Sequence, residues 1–368
     1  MEEAELDALL DTGTAMWAVV FAGGIGTRFW PLSTPRRPKQ VLALVNERPL
    51  IADTVARLSP LVPAERVLVV TSADIADALH EAIPEVPRAN LLVEPRPLGT
   101  AAALAWGAQE VSRRAGPDTV FVALHADLSV GYPDVLRDSL RRAASIAAAD
   151  RVLVALGARP TRPETGFGYL QPGMPVDPLI SRAEGGACRV EHFVEKPGAS
   201  LADVLIERGA LWNTGIFVWR ARVVLDELEK HTGELQYGLP KLAAGEMEQF
   251  AELVASVSID RGLLERSPNV VVLPADMEWD DVGTWASLRR VRELDDTGNG
   301  VMGQVHVVEC SGNVIHADGC CVVAYGISGM IVVSIDGLTF VTTQDRATEL
   351  GPLLNSLPGS LRFNPGRH

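Results

Sequence analysis

An apolar run that empties into glycine constrains this chain more than any other feature. Trp17 to Phe21 reads as a buried strand, and Gly23, Gly24 and Gly26 follow it. Glycine lets the backbone take positive φ and approach an anion closely. Consecutive loop amides can then cradle a phosphate. Arg28 and Lys39 bring fixed positive charge to the same end of the strand. A Gly-rich loop alone is often just a tight turn. Gly24-Ile25-Gly26 also opens a dinucleotide fingerprint, but Phe29 stands at its third glycine position. Pro31 and Pro35 oppose the helix that should begin there. Nucleotide-phosphate chemistry therefore ranks above hydride chemistry with a nicotinamide.

The length, 368 residues, suggests one large domain with a smaller one, or two domains. No run of ~18 apolar residues is present, which argues against a membrane span. A net charge of −14 disfavours broad contact with nucleic acid or anionic lipid, so a phosphate site must be a local basic spot. Cys188, Cys310, Cys320 and Cys321 lack paired metal-ligand spacing, and adjacent Cys320 and Cys321 read as packing residues. A reduced, cytoplasmic setting fits. The acidic start (Glu2, Glu3, Glu5) does not resemble a signal peptide, and Met16 offers an alternative start. Only four lysines occur, and two of them, Lys39 and Lys196, fall inside candidate motifs. A lysine is a compact point charge suited to one phosphate oxygen.

Strands and helices alternate through the first part. Strands are expected at 66–71, 90–94, 119–124 and 151–156, and helices at 74–82, 100–114 and 133–148. This alternation predicts a mainly parallel, three-layer α/β sheet with ligands beyond the carboxyl ends of its strands. The middle adds strands at 188–194 and 216–219 and helices at 199–208, 221–231 and 241–254. The expected organisation is a tail (1–15), an α/β domain (16–295), a β module (296–350) and a C-terminal tail (351–368), frayed from Pro358 to His368.

Gly23-Gly24-Ile25-Gly26-Thr27-Arg28, Trp30-Pro31-Leu32-Ser33 and Pro38-Lys39-Gln40 together resemble the nucleotide-sugar pyrophosphorylases, and the last two pieces resemble the mannose-1-phosphate guanylyltransferases in particular. The resemblance runs in order over about 16–290. It implies a Rossmann-like, GT-A-like nucleotidyltransferase domain. It also implies a short left-handed β-helix at the C-terminus used for homodimer contacts. The irregular glycine spacing there leaves an antiparallel meander at least as good a reading.

The resemblance implies these roles. Ala22, Gly23, Gly24, Gly26 and Thr27 form the nucleotide loop, with Arg28 and Lys39 as the catalytic cations. Asp127, ending His125-Ala126-Asp127, and Asp281, in Trp279-Asp280-Asp281-Val282-Gly283-Thr284-Trp285, hold Mg²⁺. Oxygen ligands and phosphates suit that ion. Asp280 takes the variable position and reads as a surface charge. Glu94, Arg96, Gly99 and Thr100 lie in the base-reading loop, where a carboxylate can pair with the N1–H and 2-amino group of guanine. Gly99 replaces the usual Asn, which leaves the base open. Gly168, Glu195, Lys196, Asn213 and Thr214 match the sugar-phosphate site, and Glu265 packs near it.

The implied reaction joins GTP and mannose 1-phosphate into GDP-mannose and pyrophosphate. The alternatives are a pyrophosphorylase for another base or hexose phosphate, a silent regulatory subunit that senses nucleotide sugars, and a dehydrogenase. The length leaves no room for the extra isomerase domain of some longer relatives, so one activity is expected.

Overall fold

The computed structural model describes residues 16–24, 26–35, 37–176, 186–335 and 337–363. The expected N-terminal tail, Ile25 and the last five residues lie outside these. The strands are β1 (Trp17–Ala22), β2 (Val67–Ser72), β3 (Leu91–Glu94), β4 (Val120–His125), β5 (Leu128–Val130), β6 (Leu153–Ala158), β7 (Gly168–Pro175), β8 (Cys188–Glu195), β9 (Leu211–Arg220), β10 (Val270–Pro274), β11 (Trp279–Asp281), β12 (Gly300–Val308), β13 (Val314–Tyr325), β14 (Met330–Ile335) and β15 (Leu338–Thr343). The helices are α1 (Leu50–Leu58), α2 (Ala76–Ala82), α3 (Thr100–Ala115), α4 (Pro133–Ala149), α5 (Ala199–Glu207), α6 (Ala221–His231), α7 (Leu239–Ala243), α8 (Met247–Leu253), α9 (Leu288–Val291), α10 (Gly351–Ser356) and α11 (Gly359–Phe363).

Among the described residues the main sheet runs β3-β2-β1-β4-β9-β6-β10-β8-β7. The first four of these strands are parallel, as the alternation predicts. The other half is mixed: β9 runs antiparallel to β4 and β6, and β8 to β10 and β7. Both faces are covered, which is why β1 reads as an unbroken apolar run. Ala18 and Val20 pack under Ile51, Leu79 and Leu140 of α1, α2 and α4. Val19 and Phe21 pack against Leu104 and Val224 of α3 and α6. No helix among the described residues is long and apolar enough to cross a membrane.

Several expectations need correction. The helix predicted over 241–254 is two helices, α7 and α8, because Gly245 takes φ 80 between them. The strand predicted over 216–219 is longer, since β9 begins at Leu211. Cys321 is exposed and so is not a packing residue. Gly359–Phe363 is helical where fraying was expected from Pro358, and the Trp30 indole N–H donates to the carbonyl of Leu361 (3.3 Å).

In the C-terminal module β12, β13 and β14 pair in parallel, and only β14–β15 is antiparallel. A parallel pair cannot close through a tight turn. Here each strand meets the next coil, 14 to 17 residues further on: Gly300 lies opposite Val314, and Val314 opposite Ile331. The pairing is that of a solenoid coil, so a plain antiparallel meander does not describe it. The coil shares a core with the first domain. Val314, Ile331, Val333 and Phe340 pack with Phe29, Trp30, Leu32, Leu44 and Trp285.

Candidate active site

The Gly-rich loop leaves the carboxyl end of β1, in the parallel half of the sheet. The Thr71 hydroxyl donates to the carbonyl of Ala22 (2.9 Å), and the Gln40 amide donates to the carbonyl of Gly24 (2.8 Å), which pins the loop from both sides. Gly26 takes φ 74, and a Cβ there would lie 2.4 Å from the Cβ of Lys39. Glycine is therefore what lets the loop close over the lysine. Lys39 is buried, with its Nζ 2.8 Å from Asp127 Oδ2 and 5.4 Å from the centroid of the Phe29 ring. Gly23, Gly24, Thr27 and Arg28 are exposed, and Arg28 reaches the cavity described below.

Two carboxylates meet through a pairing that sequence reasoning missed. Asp127 follows β4, whose end is tied by the Ala126 amide to the carbonyl of Phe21 (3.0 Å). The next strand, β5, pairs antiparallel with β11, setting Leu128 opposite Asp281. Burial alone would raise Asp127, but Lys39 and His125 outweigh it and hold the carboxyl below its ordinary range. Asp281 is pushed up to about 6 by burial, with Asp280 and Asp127 adding to the rise and Lys39 opposing it. The residues present fit a hard divalent cation. Among the described residues no group of three or more His, Cys, Asp or Glu side chains could hold a metal ion. The protein would thus offer two carboxylate arms, leaving phosphate oxygens and water to complete the shell. Asp280 is not a surface charge: it is 6% exposed and ion-paired with Arg290 and Arg162.

Across the cavity stands a wall from β7, β8 and β9. Gly168 pairs with Glu195, and a Cβ on it would lie 2.8 Å from Glu195 Oε2, so glycine makes room for that carboxylate. Lys196 ion-pairs with Glu195 and takes φ 50, an uncommon conformation for a residue with a side chain. Asn213 donates to Asp260 Oδ1 (2.9 Å). The Thr214 hydroxyl donates to the carbonyl of Leu156 (2.7 Å), so it holds β9 in place. Asp260 starts a π-helical turn, a form frequent at functional sites. Burial raises its pKa, and Glu195 adds to the rise. Arg28, Lys39, Asp127, Asp281, Gly168, Glu195, Asn213, Thr214, His125 and Asp260 line one cavity of about 220 Å³.

The expected base loop is only partly aimed at that space. Glu94 Oε2 lies 4.0 Å from where a Cβ on Gly23 would stand. Its Oε1 is buried without a hydrogen-bond partner, and burial lifts the carboxyl to about 7. Arg96 points elsewhere, donating to the carbonyls of Ala251 and Val254 at the end of α8. Gly99 takes φ 87, and a Cβ there would meet the Val257 carbonyl at 2.7 Å. The Thr100 hydroxyl accepts from the Ile259 amide (2.9 Å). Backbone packing against 256–259 thus requires glycine at position 99.

Known proteins resemble this chain over most of its length. A nucleotidyl transferase family model matches residues 17–297. A mannose-1-phosphate guanylyltransferase of Sinorhizobium fredii (strain NBRC 101917 / NGR234) is 31% identical over 351 residues, covering 92% of this chain and 67% of that protein. The xanthan biosynthesis protein XanB of Xanthomonas campestris pv. campestris (strain B100) is 33% identical over 369 residues, covering 95% and 75%. This chain belongs to the mannose-1-phosphate guanylyltransferase family of nucleotidyl transferases. A crystal structure described as a mannose-1-phosphate geranyltransferase from Thermus thermophilus superposes with a TM-score of 0.84 at 34% identity, covering 93% of this chain and 98% of that one.

Within this nucleotidyltransferase, His125 and Asp260 were not among the expected site residues, yet both line the cavity. Asp260 lies five residues before Glu265, the position the resemblance places beside the site. Glu265 itself is exposed, and only its backbone amide reaches toward the site, donating to the carbonyl of Asp260 (2.9 Å).

Proposed function

We propose that this enzyme joins GTP and mannose 1-phosphate into GDP-mannose and pyrophosphate. The observation that carries the reading is the single cavity in which two cations, Arg28 and Lys39, face two carboxylates, Asp127 and Asp281, with Glu195 and Asn213 on the opposite wall. The sugar phosphate is already an anion, so its oxygen attacks the α-phosphorus without a general base. A new P–O bond forms, and the bond to the β-phosphate breaks to release pyrophosphate. Bringing two anions together is the obstacle, so positioning and charge neutralisation supply the catalysis. Arg28 binds the triphosphate and the leaving group. Lys39, fixed by Gly26 and Phe29, neutralises charge near the reacting centre. Lys196 docks the sugar phosphate, and Glu195 accepts from a sugar hydroxyl. Asp127 and Asp281 would hold Mg²⁺, which when bound supplies charge neutralisation at the α-phosphate.

Glu94 reads the base. Its unpartnered buried oxygen supports this, because a guanine edge offers N–H donors to a carboxylate of which one oxygen has none. A homodimer in the cytoplasm completes the proposal. Val308, Val323 and Tyr325 sit together on the coil, exposed by 52%, 71% and 68%, and support a contact between copies.

Pyrophosphate release tests the reading, with GTP, ATP, UTP and dTTP each crossed with mannose, glucose and N-acetylglucosamine 1-phosphates in Mg²⁺. Preference for GTP with mannose 1-phosphate is expected. Preference for another pair would overturn the substrates and keep the mechanism. Absence of turnover with every pair, alongside tight GDP-mannose binding, would make the chain a regulatory subunit.

A further inference from the structure

Strand β11 carries one of the two site carboxylates, Asp281. It is three residues long and, among the described residues, pairs with β5 alone. The catalytic cavity lies on one side of it. On the other lies a second cavity of about 550 Å³, lined by Arg159, Arg162, Asp280 and Arg290 among others. Core packing fixes its first residue: Trp279 is buried, with its ring edge-on to Phe167 and beside Trp212.

An ionic clamp fixes the next residue, Asp280. Successive side chains of a strand point to opposite faces, so Asp281 faces the reaction and Asp280 faces the second cavity. Asp280 accepts from Arg290 through both oxygens, Oδ2 from Nε (2.7 Å) and Oδ1 from Nη2 (2.9 Å). Arg162 Nη2 adds a third bond to Oδ2 (3.3 Å). Fork-to-carboxylate pairing fixes orientation as well as distance. Arg162 in turn lies 4.9 Å from the centroid of Trp212 and 5.7 Å from that of Phe167, both next to sugar-wall residues.

We propose that Asp280 is a positioning residue: clamped by Arg290 and Arg162, it holds β11 so that Asp281 stays aimed at Asp127 for the divalent cation. This rests on the proposed reading of Asp127 and Asp281 as cation ligands. Outer partners that orient a ligand commonly matter 10- to 100-fold for metal affinity.

The test uses the full chain with GTP bound and Mn²⁺ as probe, counting free Mn²⁺ by its electron paramagnetic resonance signal. Asp280→Asn is expected to weaken Mn²⁺ binding about tenfold or more. The Mg²⁺ concentration for half-maximal turnover should rise in step, with KM for GTP within about twofold. Arg290→Gln, which removes the bidentate partner from the solvent side, should shift both quantities in the same direction. It also serves if Asp280→Asn does not fold. A merely structural role would lower the unfolding temperature and the active fraction without moving Mn²⁺ affinity per folded molecule. Wild-type Mn²⁺ affinity in both folded variants would overturn the clamp. Asp281→Asn is the control: if it too leaves Mn²⁺ binding unchanged, the ligand assignment fails and the clamp falls with it.

Discussion

Single residues in this site are set by their neighbours. Lys39 and Asp127 lie 2.8 Å apart, and Lys39 helps keep Asp127 charged where burial would oppose it. Asp127→Asn should lower kcat by roughly three orders of magnitude, while GTP binding to the Gly-rich loop persists. Near-wild-type turnover in steady-state assays would remove Asp127 from the mechanism. Glu94 gives a pH signature. Its carboxyl, lifted by burial to about 7 against an ordinary 4.5, holds a proton in the folded protein that the unfolded chain has lost. Stability therefore falls as pH rises through that window. The ionised form reads guanine, so kcat/KM for GTP should rise across the same window. Glu94→Gln should flatten both profiles and narrow the preference for GTP over ATP, as paired unfolding and kinetic titrations would show. The sequence makes Lys39, Asp127, Asp281, Glu195 and Asn213 legible because each sits in a motif with recognisable neighbours. It hides the direction of Arg96 and the burial of Asp280, which depend on carbonyls and guanidiniums elsewhere in the chain.

At the scale of elements, local pattern serves well wherever one strand or helix buries a continuous face. β1, β2, β4 and α3 through α6 fall within a few residues of expectation for that reason. It fails where a partner decides. β5 and β11 are three-residue strands that exist only as a pair, and neither carries a period long enough to notice. The Gly99 turn belongs to the same class. Its reason lies in residues 256–257, far along the chain, and not in the base loop itself. Gly99→Ala should cost about 1–3 kcal/mol, from a positive φ and a Cβ pressed on the Val257 carbonyl. Thermal unfolding should show a midpoint several degrees lower. An unchanged midpoint would mean that the loop relaxes freely, and that the position is open to the Asn usual in the family.

Across the whole molecule, the coil and the α/β domain are joined by a buried polar bolt as well as by their shared core. The Arg292 guanidinium donates to the carbonyl of Leu44 (2.7 Å) and to Nδ1 of His316 (2.9 Å). Burial lowers Arg292 to about 9, and burial together with Arg292 lowers His316 to about 3. His316 therefore stays neutral when folded but gains a proton when unfolded, from its ordinary 6.5 downward. The contribution is complete above that value and is lost as pH falls, by up to ~1.4 kcal/mol per pH unit. His316→Gln should blunt the fall in unfolding temperature between about pH 6.5 and 4. A wild-type slope in that variant would place the acid sensitivity elsewhere.

Trp30 gives the shared core a consequence for how such sequences diverge. Its ring packs edge-on against Phe340 of the coil, its indole N–H meets Leu361, and its carbonyl accepts from Trp285. Trp-Pro-Leu-Ser, lodged between the phosphate loop and Lys39, thus looks catalytic in a sequence while serving as the socket for a distant appendage. A descendant that shed its coil would be released from keeping this tryptophan, and would lose the motif while keeping its chemistry.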